Sequence, residues 1–286
     1  MFQNFKIFIY QTNTNQLNFE TEQESLFYFS LQNSSYLTQQ AEQAHLFFLP
    51  FSSNISTRSL ARVVSRIRKD FPYWNRSLGA DHFYLSCKGI SSNNDRNIVE
   101  LKKNAVQVTC FPTRRHCFVP HKDITLPPVI NLHAPVKLGG GEFCVVEYGN
   151  LEVLWIGEAM RLGCVPVVVT EGTVIDMPFM DVLKWKEMAV FVKSGVKNVT
   201  WRERHENMRR LGVVVGKHLR WNRPPLPFDA FNTVMYQLWL RRHTLICMFD
   251  IRLDDWFVLR LKKMVGDDVL VVMVFKSEGE RMECGM

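Results

Sequence analysis

Residues 149–172 read GNLEVLWIGEAMRLGCVPVVVTEG. A glycine turn leads into a helical pattern over Leu151–Leu162. A Gly163-Cys-Val-Pro166 turn then leads into an apolar strand over Val165–Thr170. A helix that returns into a buried strand is the α-to-β half of a nucleotide-binding unit. Glu158 lies inside that helix, where a carboxylate can accept hydrogen bonds from ribose hydroxyls. A surface glutamate on an amphipathic helix fits the same spacing. Gly163 likewise reads either as part of a ligand turn or as the glycine that ends a helix, with Pro166 just beyond it.

The same alternation runs outward in both directions. Towards the N-terminus the pattern predicts strands at Lys6–Tyr10, Leu46–Leu49, His82–Ser86 and Val106–Thr109. Helices are predicted between them at Glu22–Leu31 and Thr57–Lys69. Residues 119–141, VPHKDITLPPVINLHAPVKLGGG, are rich in proline and glycine and read as a linker. Beyond it come a strand at Glu142–Val146, a short helix at Met180–Trp185 and a strand at Ala189–Val192. Long helices follow at Trp201–Leu219 and Phe228–Arg242, the latter with Asp229 near its start to favour the helix dipole. Strands alternating with helices imply mostly parallel sheets covered by helices. The expected organisation is an N-terminal α/β lobe (1–128), a linker (129–141), a second α/β lobe (142–245) and a tail (246–286). The tail carries a helical pattern and a VLVVMVF strand pattern. A cleft between the lobes is the default ligand site.

Composition narrows the class. Hydrophobic residues make up 47% and charged residues 22% of the 286, an ordinary globular balance. No run of roughly 18 apolar residues is present, so no bilayer span is expected. Met1 is followed almost at once by a strand pattern, so no signal peptide is expected either. The net charge is +7, but no nucleic-acid motif accompanies it, and RVVSRIRK (62–69) reads as the solvated face of a helix. A basic surface suits anionic nucleotide donors or acidic polysaccharides. Seven cysteines show no metal-ligand spacing. Glycosylation sequons at Asn33, Asn54, Asn75 and Asn198 favour a secretory lumen, where Cys87 and Cys110 can pair.

Other clusters could carry chemistry. In FPYWNRSLGADHFYLSC (71–87), Trp74 can stack on a sugar, and Asp81 with His82 can orient or deprotonate a hydroxyl. A turn in which Asp81 and Arg76 satisfy one another explains the same residues. Lys122 in PHKDI (120–124) can meet a phosphate, and a lone Lys-Asp pair in a loop is also simply solvated. Metal-dependent and serine-hydrolase signatures are absent.

Taken in order, AEQAHLFFLPFS (41–52), FPYWNRSLGADHFYLSC (71–87), VPHKDITLPP (119–128), GEAMRLGCVPVVV (157–169), MPFMDVLKW (177–185) and KHLRWNRPPLPFDAFNTVMYQLWLRRH (217–243) resemble the exostosin-like family of inverting glycosyltransferases, in its plant cell-wall branch. The resemblance implies a GT-B-like α/β fold of two Rossmann-like lobes. The nucleotide sugar, a UDP-sugar, would bind the C-terminal lobe without a metal, and the glycan acceptor would bind the N-terminal one. It implies Golgi residence through an N-terminal membrane anchor that this chain lacks, no nucleic-acid partner, and hetero-oligomer formation with another glycosyltransferase. Carried over by position, Glu158, Gly163, Thr170 and Glu171 are donor-binding candidates, and Asp81 or His82 is the candidate base.

Two departures matter. The family commonly has a Ser-Arg step before the glutamate, and here Leu154 and Trp155 stand there, so an arginine donor to the diphosphate is lost. The family also places roughly seventy more residues between the equivalents of Pro128 and Phe143, the size of a strand-helix-strand unit. The C-terminal lobe is therefore expected to be incomplete, as in a shortened gene product or a diverged member. Sugar transfer with inversion is the first functional reading. A catalytically inactive homologue that binds glycan, or partners an active transferase, is the alternative, and a fragment with an exposed sheet edge is a third.

Overall fold

The computed structural model describes residues 4–11, 17–91, 93–113, 118–129, 142–149, 151–193 and 202–250. It contains two parallel sheets. The first has five strands in chain order: β1 (Ile7–Ile9), β2 (Leu46–Leu49), β3 (His82–Leu85), β4 (Val106–Cys110) and β5 (Ile124–Leu126). The second has three, β6 (Phe143–Glu147), β7 (Val165–Val169) and β8 (Val190–Val192). All pairings are parallel, as the alternation of strands and helices requires.

Side-chain alternation along β2 shows how the first sheet is buried. Leu46 and Phe48 face one way, against α1 (Glu22–Gln32) and α7 (Ala230–Asp250). Phe47 and Leu49 face the other, against α2 (Thr57–Asp70), the short α3 (Tyr73–Ser77) and α4 (Arg96–Asn104). Helix α1 starts at a capping box in which Thr21 accepts from the Glu24 N–H and Glu24 accepts from the Thr21 N–H. Glu24 is fully buried yet satisfied, since Ser53 and the Cys87 N–H also donate to it. Helix α2 buries Leu60, Val64 and Ile67 at helical spacing and leaves Arg62, Arg66 and Lys69 in solvent.

Three elements differ from the sequence expectation. Helix α4 was not anticipated because its sequence, RNIVELKKN, is mostly polar. It forms because Asp95 caps it and Ile98 and Leu101 reach the core. Strand β5 is three residues long inside the proline-rich stretch read as loop. The expected helix Met180–Trp185 is instead a tight turn followed by one 3-10 turn at Trp185–Glu187. Phe179 has φ 60°, the Val182 and Leu183 N–H groups both donate to its carbonyl, and Trp185 donates its indole N–H to the Pro178 carbonyl. Those bonds wrap the chain tightly and bury Met177, Phe179 and Trp185 between the sheets.

Expected helix 151–162 forms as a 3-10 segment (Leu151–Trp155) that becomes α5 (Ile156–Arg161). Helix α6 (Arg202–Val215) ends in a 3-10 turn, Gly216–Leu219, and α7 continues through Asp250. Most of the expected linker (130–141) and the tail patterns after 250 lie outside the described residues. No helix among the described residues is long and apolar enough to cross a membrane. Cys87 pairs with Cys110, as expected, and Cys144 pairs with Cys164, a bridge not anticipated from the sequence.

The two sheets share one apolar core. It runs from Ile7, Phe48 and Val108 through Val146, Ile156 and Val168 to Phe231 and Leu238. Helix α7, the last of the described helices, packs back on the first sheet, with Phe231 against the rings of Phe27 and Tyr36.

Candidate functional site

In parallel α/β sheets, ligands collect beyond the carboxyl ends of strands. The carboxyl end of β5 and the helical segment that follows β6 border a solvent-open cleft of about 140 Å³. Pro127 and Pro128 form one wall, Leu154 to Glu158 another, and Arg220 and Trp221 a third. Trp221 is fixed by donating its indole N–H to the Pro127 carbonyl at 2.9 Å. Gly157 lets α5 sit against the 216–219 turn, because a Cβ there would lie 3.1 Å from Leu219 Cβ.

Glu158 faces this cleft with its side chain 14% exposed. Arg161 donates its Nε–H to Glu158 Oε2 at 2.7 Å, and Glu158 Oε1 has no partner among the described residues. A ribose hydroxyl would suit that oxygen. Leu154 is in the wall and offers no donor, but Arg220 is exposed at the rim with no ion pair among the described residues. That arginine was not singled out in the sequence, where it sits in an unremarkable loop 62 positions from Glu158.

The other donor candidates fall elsewhere. Gly163 ends α5 in a left-handed conformation (φ 82°). Its N–H donates to the Met160 carbonyl and the Cys164 N–H donates to the Ala159 carbonyl, the paired bonds of a Schellman stop. Since α5 leads away from the cleft, Gly163 lies at the opposite end of the strands, and the helix-stop reading accounts for it. Thr170 and Glu171 follow β7 at the cleft end, but neither lines the cleft. The Thr170 hydroxyl is taken up in a local turn with Gly172, and Glu171 is solvent-exposed.

Asp81 and His82 come at the start of β3, the sheet end remote from the cleft. His82 has no exposed surface and Asp81 is 4% exposed. His82 Nδ1–H donates to Asp81 Oδ1 at 2.7 Å, and Tyr10 donates its O–H to His82 Nε2 at 2.8 Å. Arg76 donates to Asp81 Oδ2 at 2.6 Å, and the Ser77 hydroxyl donates to Asp81 Oδ1. The imidazole stacks on Tyr10 and Phe47 and takes the edge of Trp74, which is itself fully buried and unable to meet a sugar. Burial pushes the His82 pKa down, so the ring is neutral. Burial alone would raise Asp81, but the hydrogen bonds from His82, Arg76 and Ser77 outweigh it and hold the carboxyl below its usual range. The open alternative of an Arg76–Asp81 pair is what the geometry contains. Lys122 donates to Asp123 and the Ala105 carbonyl, so it is not available to a phosphate.

Asp176 was missed by the sequence reading. It is 1% exposed and accepts from the Thr113 N–H and hydroxyl, both at 2.7 Å, and from the Tyr148 hydroxyl. Thr113 follows β4 and Tyr148 follows β6, so this carboxylate joins the cleft ends of the two sheets. Among the described residues, no three His, Cys, Asp or Glu side chains converge as a metal-ligand group.

Parallel sheets packed between helices, with a cleft beyond the strand ends, are the layout of Rossmann-like α/β proteins. The exostosin GT47 domain matches residues 1–140. A probable glycosyltransferase of Arabidopsis thaliana is 26% identical over 83% of this chain and 62% of its own length. A second is 28% identical over 77% and 63% respectively. A probable beta-1,4-xylosyltransferase of the same plant, IRX10, is 34% identical over 50% of this chain and 51% of its own. The chain is thus similar, over its first half, to the exostosin GT47 domain, and over a longer stretch to plant proteins named as probable glycosyltransferases. It spans about three fifths of the length of the first relatives it matches.

Proposed function

We propose that the chain is a glycosyltransferase of exostosin type that moves a sugar, with inversion, from a UDP-sugar to a polysaccharide or glycoprotein glycan. The observation that carries this reading is the strand-end cleft in which, among the described residues, one Glu158 carboxylate oxygen and the Arg220 guanidinium have no partner. Glu158 would hold the ribose. Arg220 would stand in for the arginine displaced by Leu154 and Trp155, and offset charge on the departing diphosphate. Asp81 and His82 serve the packing of β1, β2 and β3 rather than the acceptor, because every polar atom of the pair is engaged and no face reaches solvent.

The donor lobe is read as GT-B-like and short of its first units. In support, the alignment to the 26%-identical relative spans 324 positions but uses 83% of 286 residues, about 237, leaving about 87 positions without a counterpart here. Two disulfides and exposed sequons at Asn33, Asn54 and Asn75 suit an oxidising lumen such as the Golgi. A second transferase is the partner to seek by co-purification.

Calorimetry with UDP tests the cleft. The wild type is expected to bind in the micromolar range. Arg220→Ala removes a charge-assisted bond of about 1.5–3 kcal/mol, roughly ten- to hundredfold in affinity. Glu158→Ala should also weaken binding. Absence of UDP binding in the wild type, with glycan binding retained, would replace the enzyme by a glycan-binding homologue.

A further inference from the structure

A second cavity, half open to solvent and of about 200 Å³, lies at the opposite end of β5, between Asp123–Thr125 and residues 174–181. Gln237 of α7 reaches it with only 1% of its surface exposed, and its side-chain Oε1 is buried without a hydrogen-bond partner. Nine-tenths of buried polar atoms find a partner, so an orphan at a cavity wall marks a place for a ligand group or water. A single water needs only about 10–15 Å³ of such space, so the cavity is larger than one water requires.

We infer that this cavity is a glycan subsite that takes one neutral sugar ring, separate from the donor cleft; the choice of a sugar rests on the glycosyltransferase reading above. The charges at the cavity exclude other ligand classes. Asp123 is saturated by the Gln107 and Val119 N–H groups and by Lys122. Asp181 is shared between His121 and Arg241, and Arg241 donates further to the Lys122, Asp123 and Gln237 carbonyls. With both carboxylates and both cations engaged, neither an anion nor a cation has an uncompensated partner. Ile124, Met177 and Phe179 supply apolar wall, and Ile175 and Met180, 45% and 41% exposed, lie at the mouth. A pyranose offers an apolar C–H face to such walls. Its hydroxyl can donate to the Gln237 carbonyl or, with the amide turned over, accept from its NH2.

The test is calorimetry of the whole chain with β-1,4-xylohexaose and cellohexaose, run beside UDP. Gln237→Leu removes the polar anchor, and Met180→Trp narrows the mouth from an exposed position without touching the core. Both variants should bind the saccharide at least tenfold more weakly and bind UDP as the wild type does. Saccharide binding unchanged in both variants would show that the cavity holds water only and would overturn the inference, as would a wild type that binds neither saccharide. Should the wild type bind saccharide as described but no UDP, the subsite stands and the donor reading falls.

Discussion

Replacing Asp81 separates a packing role from a catalytic one. Three donors converge on its carboxylate. Arg76 is 58% exposed and can turn to water at little cost. Ser77 and His82 are buried and cannot. A buried donor left unpaired costs about 1–3 kcal/mol, so Asp81→Ala should destabilise the chain by about 2–5 kcal/mol. Asp81→Asn keeps an acceptor oxygen for His82 and Ser77 and sets its NH2 against Arg76, which can swing away. It should therefore cost only about 1 kcal/mol. His82→Phe preserves the ring stacking with Tyr10 and Phe47 but strands the Tyr10 hydroxyl, again at about 1–3 kcal/mol. In a double-mutant cycle Asp81→Ala and His82→Phe should be less costly together than the sum of the two, with coupling of about 1–3 kcal/mol. Urea unfolding followed by circular dichroism reads all of these. An Asp81→Ala variant with wild-type stability but no sugar transfer would refute the packing argument and restore the pair as the base.

Further outcomes follow from the same geometry. His82 is neutral in the fold with its pKa depressed by burial, whereas the unfolded chain takes up a proton near pH 6.5. Stability should thus fall as pH drops below about 6.5, by up to about 1.4 kcal/mol per pH unit, and His82→Phe should flatten that limb of a pH-dependent urea series. His45 and His218, also depressed by burial, leave a residual slope of the same sign. The Asp81 carboxyl is held low, so its contribution is lost only in a separate window, as pH falls below about 3.9. Gly163→Ala forces a Cβ into φ 82° and to 3.0 Å from the movable Arg209 Nε, and thermal unfolding should show a loss of about 1–2 kcal/mol. Replacing Cys144 and Cys164 together by Ala opens a bridge across 20 residues and should cost about 3 kcal/mol in a non-reducing unfolding assay, an effect that vanishes when wild type is compared under reductant.

What the sequence made legible is what local patterns control. Alternation placed β2 at Leu46–Leu49, and helical spacing placed α2 to within a residue of its observed end. Polar helix α4 escaped because only Ile98 and Leu101 announce a buried face, although Asp95 was a readable cap. Three-residue β5 escaped because its neighbours Asp123 and Pro127 look like loop, and only pairing with β4 makes it a strand. Helix 180–185 was wrongly expected because apolar spacing cannot reveal that residues 177–185 turn back between two sheets. For the site, Glu158 was readable from a motif. The neighbours Asp81 and His82 looked like an acid–base pair in sequence, yet the partner that fixes their role, Tyr10, is 72 positions away. Arg220 and Gln237 gave no local signal at all, since their significance lies in which cavity they line.

The second sheet is held by ties within itself and by ties to the first sheet. Three strands alone are close to the lower limit for independent stability, and β6 leaves Val145 68% exposed on the side where further covering would be expected. Three ties compensate. The Cys144–Cys164 bridge joins β6 to the residue preceding β7. Asp176 binds Tyr148 of this sheet and Thr113 of the first through one buried carboxylate. Helix α7 packs on the first sheet while Arg241 holds Asp181 in the chain between β7 and β8. The Asp176 tie, together with the Trp221–Pro127 bond, fixes the cleft walls, because both act at the strand ends rather than through the body of the sheet. The position of Glu158 opposite Pro127 therefore depends little on how many strands stand behind β6. Nucleotide binding by the wild-type chain measures directly whether these strand-end ties hold Glu158 in place.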